Sequence, residues 1–110
     1  MNWTLEYLPE AEEDLKKFDT SVKIQVLKGI RKVLQNPLPL QEGGYGKPLG
    51  NKDLNDLTNL LKIKFKKTGI RVVYKIIKKE NNVMKVIVVS ARSDNDVYKL
   101  AYKRRIENGL

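Results

Sequence analysis

The sequence predicts an α+β fold. It is an antiparallel-rich sheet of about four strands, with an N-terminal helix hairpin on one face and a C-terminal helix near one edge. Three observations carry that prediction. Leu61–Phe65 runs Leu, Lys, Ile, Lys, Phe, which is the period of a strand. Ile70–Ile77 is rich in β-branched and aromatic residues and follows Lys67-Thr68-Gly69, where the glycine is free to take φ > 0. The two runs therefore read as a hairpin, and helical spacings fall before and after it.

Taken in order, Asn2–Leu8 alternates, with Trp3, Leu5 and Tyr7 on one side, and reads as a short strand. Pro9 suits the first position of a helix, and Glu10, Glu12, Glu13 and Asp14 suit its positive end. Ala11, Leu15 and Phe18 give that helix an apolar face. Asp19-Thr20-Ser21 is a break with N-cap chemistry. A second helix follows, with Val22, Val26, Ile30 and Val33 in a stripe widened by Leu27 and Leu34. Pro37 stops it near Gln35-Asn36.

Asn36 to about Leu57 reads as a loop, with three prolines and four glycines. A connection this long is uncommon in a compact domain and is often functional. Leu54-Asn55-Asp56-Leu57 is a candidate short turn within it. After the hairpin, Glu80-Asn81-Asn82 predicts a turn. Val83–Ala91 is a third apolar run, whose lack of alternation suits a central strand covered on both faces. Ser93-Asp94-Asn95-Asp96 resembles a capping-box start. It leads into a helix from Asp96 to about Glu107, with Val97, Leu100, Ala101 and Arg104 on one side. No repeat or second domain is visible, so residues 1–110 read as one domain.

Composition narrows the chemistry. The chain has no cysteine and no histidine. Thiolate sites are excluded, a reducing cytoplasm is the natural compartment, and both the commonest metal ligand and the commonest general base are missing. The formal net charge is +9, unevenly spread: −4 over residues 1–20, +3 over 21–56 and +10 over 57–110. Such a basic half points to nucleic acid or an acidic protein partner. Gly43-Gly44-Tyr45-Gly46 fails the spacing of both phosphate-loop types, and its glycines read as relief of backbone strain. The acids of the first helix read as partners of its dipole, not as a hydrolytic pair.

What remains is a cationic set. The hairpin places Lys62, Lys64 and Arg71 on one surface, and Arg92 and Tyr98 follow the third strand. Each has a plainer reading. Lysines on an outer strand face are solubilising and deter edge pairing. Arg92 also reads as a cap on the sheet, and Tyr98 as a helix anchor beside Tyr102. Together the five suit metal-free RNA cleavage, which needs a base for the 2′-hydroxyl, an acid for the leaving 5′-oxygen and positive charge for the phosphorane. Lysines crowded by cations are able to act as bases, and arginine neutralises or donates.

The chain resembles the RelE-type toxins of the RelE/ParE superfamily of type II toxin–antitoxin pairs. The resemblance spans nearly the whole chain. It runs through Gly46-Lys47-Pro48-Leu49, LKIKFKKTGIRVVYKI and VVSARSDNDVYKLAYKR, and is densest from Leu61 to Arg104. The RelE catalytic pattern is K-x-K on one strand, G-x-R opening the next, then an arginine six residues before a tyrosine. Lys62 and Lys64, Gly69 and Arg71, and Arg92 and Tyr98 match it in order and spacing.

That resemblance implies a ribosome-dependent endoribonuclease, cutting mRNA in the A site with no metal or cofactor. It leaves a 2′,3′-cyclic phosphate and a 5′-hydroxyl. The implied partners are the ribosome, mRNA and a cognate antitoxin. Lys64 and Arg71 would stabilise the phosphorane and Arg92 would be the general acid. Lys62 and Tyr98 would orient or activate the 2′-hydroxyl and stack on the message. Two alternatives stand beside this reading. One is the ParE branch, which poisons DNA gyrase, shares the fold and generally lacks the full residue set. The other is a non-catalytic member that binds antitoxin or nucleic acid. The longer Pro/Gly loop and the residues after Arg105 depart from shorter members, and bear on ribosome docking and codon preference.

Overall fold

Pro9 opens the first helix two residues after the first strand ends at Tyr7. In the computed structural model the described residues are 3–49, 56–78 and 81–110. The elements are β1 (Thr4–Tyr7), α1 (Pro9–Lys16), α2 (Thr20–Leu34), a 3-10 turn (Leu40–Glu42), β2 (Lys47–Pro48), β3 (Leu60–Phe65), β4 (Ile70–Lys78), β5 (Asn82–Ser90) and α3 (Asp94–Glu107). The Asp19 carboxylate caps α2 by accepting from the Val22 amide at 3.0 Å. Ser93 caps α3, which starts two residues earlier than its sequence suggests. Asn2 of the first strand, Leu54-Asn55 of the candidate turn and Glu80 of the hairpin turn lie outside the described residues.

The sheet is mixed and has five strands in the order β1-β5-β4-β3-β2, where the sequence predicts about four. Strand β1 runs parallel to β5, and the remaining neighbours are antiparallel. The additional strand is β2, inside the Pro/Gly loop. It has only two residues and one is proline, so it shows no period, and its place at the sheet edge is where proline is tolerated.

Register fixes what each face carries. Leu61 pairs with Tyr74, Ile63 with Val72 and Phe65 with Ile70, which puts these six side chains on one face. Helix α2 packs there, with Gly29 so close to Phe65 that a Cβ would lie 2.3 Å from its ring. Lys62, Lys64, Arg71 and Val73 point to the opposite face, where α3 lies. Met84, Val86, Ile87, Val88 and Val89 of β5 are all buried, as its unbroken apolar run predicts. Between Val73 and Tyr74 the partner on β5 jumps from Val88 to Val86, so Ile87 is a bulge residue.

The Pro/Gly loop is stitched to this sheet. The buried Tyr74 hydroxyl donates to the Pro37 carbonyl at 2.8 Å, and burial pushes its phenol pKa up. Within the loop the Gly46 amide donates to Leu38 and its carbonyl accepts from Leu40. A Cβ on Gly46 would lie 2.3 Å from the Tyr74 oxygen. Gly46 thus answers a need for space, whereas the sequence suggests relief of strain; Gly43, at φ +85°, fits that suggestion. Gly46→Ala is expected to break the Tyr74–Pro37 bond and cost about 1–3 kcal/mol, the penalty for an orphaned buried polar group. A urea titration of both proteins checks it, and an unchanged midpoint would contradict this account of the loop.

Candidate active site

Hairpin geometry and one helix bring the sequence-separated cations together. Gly69, at φ +72°, closes the β3–β4 turn by donating its amide to Phe65 at 2.8 Å. Nothing lies within 4 Å of a Cβ built there, so the backbone angle is what requires glycine. The turn sets Lys64 directly opposite Arg71, with Lys62 opposite Val73.

Arg71 is the most tightly held member. Its Nη1 donates to the carbonyls of Gly69 at 2.8 Å and Arg92 at 2.7 Å. Its Nε donates to the Asp94 carboxylate on the first turn of α3. The Arg92 amide in turn donates to Ser90 Oγ at 3.1 Å. Arg92 is therefore fixed by its backbone, while its exposed guanidinium has no hydrogen-bond or ion-pair partner among the described residues. Lys64 is likewise exposed and unpartnered among them.

Lys62 and Tyr98 form the second half of the site. Lys62 Nζ donates to Tyr98 Oη at 2.8 Å and lies 5.5 Å from the ring centroid, a hydrogen bond and a cation–π contact at once. Tyr98 is only 5% exposed. A ring this covered presents no face to a base, which removes stacking from its implied roles and leaves its hydroxyl.

Two residues escape sequence reasoning. Lys47 on β2 stands opposite Lys62 and extends the cation row across the sheet edge. Its signal was present in Gly46-Lys47-Pro48-Leu49, but a two-residue strand gives no register. Asp94 reads as part of a helix start, and only the fold shows it against Arg71. Among the described residues no three His, Cys, Asp or Glu side chains converge to hold a metal ion, and no helix is long and apolar enough to cross a membrane.

The predicted helix hairpin on one face is only partly met: α2 packs there, whereas α1 lies against β5 and bonds to α3 and its C-cap through Asp14–Arg104 and Glu10–Asn108. The frame is that of a small α+β toxin of the RelE/ParE superfamily. A family model for the ParE toxin of the type II toxin–antitoxin system parDE matches residues 5–96, and the chain belongs to that family. It is also similar to a RelE-like toxin protein of Escherichia coli, with 27% identity over 104 residues, covering 94% of this chain and 98% of the relative. Among solved structures, it is similar to a double arginine-to-alanine mutant of E. coli toxin RelE in the free state. The TM-score is 0.68 at 28% identity, covering 94% of this chain and 98% of that one. The intact E. coli RelBE toxin–antitoxin complex matches with a TM-score of 0.62 at 26% identity, over 82% and 96% of the two chains.

Proposed function

We propose that this toxin is a ribosome-dependent endoribonuclease that cleaves mRNA in the A site and so halts translation in the cytoplasm. One observation carries the reading: the K-x-K, G-x-R and R-x₅-Y segments meet on one face, joined by the Lys62–Tyr98 and Arg71–Arg92 hydrogen bonds. The 2′-hydroxyl oxygen attacks the adjacent phosphorus and gives its proton to the Lys62–Tyr98 pair, while the bond to the 5′-oxygen breaks and that oxygen takes a proton from Arg92. A 2′,3′-cyclic phosphate and a 5′-hydroxyl remain. Lys62 and Tyr98 orient and activate the 2′-hydroxyl. Lys64 and Arg71 stabilise the phosphorane, and Arg92 protonates the leaving oxygen. The five residues supply every group the reaction needs, so the reading invokes no metal or cofactor.

A cognate antitoxin is the implied regulator, since the RelBE relative is held with one. An acidic, partly disordered chain suits the +10 charge of residues 57–110. Primer extension on a defined mRNA tests the activity, with and without ribosomes carrying an empty A site. Cuts confined to the A-site codon are expected; efficient cutting of free RNA would contradict ribosome dependence.

A second reading has its own support. The matching family model is that of ParE, and Asp94 offsets the charge of Arg71, which weakens a phosphate-binding role. Inhibition of gyrase in a supercoiling assay, with no mRNA cuts, would favour it.

A further inference from the structure

We propose that Asp94 is a built-in competitor for the phosphate-binding fork of Arg71, so that RNA engages this arginine only by displacing a carboxylate. The inference rests on the RNA-cleaving reading above. A guanidinium binds a phosphate best through two parallel N–H groups. Both protons of Arg71 Nη1 are taken by the Gly69 and Arg92 carbonyls, so the group is locked and its end-on fork is closed. The remaining fork is Nε with Nη2. Asp94 occupies Nε, and Nη2 has no partner among the described residues. A phosphate arriving here finds half a fork.

The pair is built to open from one side. The Arg71 side chain is 16% exposed and that of Asp94 is 43% exposed. Asp94 can swing into water beside the positive end of α3, whereas Arg71 stays anchored to two carbonyls. The other arginine pair on α3 shows the contrast: Arg104 and Asp14 are 11% and 9% exposed, and Asp14 is also tied to the Val89 amide. One pair is fixed and the other is a gate. The acid also keeps the free toxin from holding phosphates indiscriminately, at the expense of affinity.

The test is the affinity of the full chain for a fully 2′-O-methylated RNA oligonucleotide, which cannot be cleaved by 2′-hydroxyl attack, followed by fluorescence anisotropy over a salt series. Asp94→Asn is expected to tighten binding about three- to fivefold, the size of an exposed ion pair that no longer has to be broken. The slope of the log–log salt dependence should stay close to that of the wild type, because Arg71 meets the same phosphate in both proteins once Asp94 has moved. Asp94→Glu, which keeps the acid, should bind like the wild type. In an Arg71→Gln background the Asn substitution should do nothing. A purely structural Asp94 would not make the tightening depend on Arg71.

Unchanged or weaker binding by a folded Asp94→Asn protein overturns the proposal, as does equal tightening in the Arg71→Gln background. If Asp94→Asn melts early, Asp94→Ser carries the same expectations. Should Arg71→Gln alone bind like the wild type, Arg71 does not contact phosphate, and both the gate and that part of the cleavage reading fall. Arg71-dependent binding with no effect at Asp94 sinks the gate alone.

Discussion

Arg92→Ala is expected to lower A-site mRNA cleavage by roughly 10²- to 10⁴-fold, the usual worth of a positioned general acid. The substitution is unusually clean because this residue serves the fold through its main chain. Its carbonyl accepts from Arg71 and its amide donates to Ser90, and both bonds survive in alanine. The guanidinium is exposed and bonds to nothing among the described residues. Stability should therefore stay within about 0.5 kcal/mol of the wild type, as for surface changes away from special features. Antitoxin binding should be nearly unaffected. Primer extension on programmed ribosomes reads the activity, and a thermal melt verifies the fold. Arg92→Lys separates charge from geometry: retained charge without the planar fork should restore only part of the rate. Cleavage within a few-fold of wild type in a folded Arg92→Ala protein would remove the acid role, and undiminished toxicity in cells would sink the endonuclease assignment.

What the sequence displays and what it hides follow from the range over which each signal acts. Lys62, Lys64 and Arg71 are legible as one surface because a strand's period of two assigns faces locally, and Gly69 announces the turn between them. The helices are legible from stripes and caps, as at Asp19 and Ser93. Partnership across the chain is another matter. Nothing in residues 9–16 marks Asp14 as different from Glu10, Glu12 and Glu13, all suited to a helix N-terminus. Yet Asp14 is buried while Glu12 and Glu13 are exposed. Asp94 has two local explanations, cap and dipole, which mask its bond to Arg71. Tyr98 carries the spacing of a site residue, but spacing does not report that its ring is buried with Lys62 against it. Strand β2 is invisible because two residues carry no period; its register comes from β3 alone.

The largest stability loss is expected at Asp14. Strand β1 follows β5 only as far as Val86, where the Leu8 amide makes the last contact before Pro9 turns the chain into α1. Beyond that point the Ile87 carbonyl, in the bulge, and the Val89 amide face an edge with no strand beside it. Two side chains stand in for the missing strand. Asp14 Oδ2 accepts from the Val89 amide at 3.0 Å, and Arg104 Nη1 donates to the Ile87 carbonyl at 2.9 Å. The two then close on each other through a fork, Nη1 to Oδ2 at 2.6 Å and Nη2 to Oδ1 at 3.0 Å. Asp14→Ala leaves a nearly buried guanidinium without its counter-charge and the Val89 amide without an acceptor. Breaking such a pair from one side costs about 3–5 kcal/mol, a large share of the 5–15 kcal/mol that holds a domain together. At about 4–8 °C per kcal/mol for a domain of this size, the melting temperature should fall by more than about 12 °C. Asp14→Asn keeps an acceptor for Val89 but loses the charge, and belongs between the two. Asp14→Ala with Arg104→Met removes the stranded cation and should recover part of the loss, because an apolar replacement of a buried pair is often close to neutral. The recovery should stop short of wild type, since the Val89 amide remains orphaned. A melt of Asp14→Ala within about 2 °C of wild type would mean that the sheet edge is satisfied in some other way. The consequence reaches the site, because Arg104 rides on the same helix as Asp94 and Tyr98. The pair that seals the far side of β5 also helps to hold α3 beside the cation row, together with the bonds of Arg105 to Asp56 and Thr58.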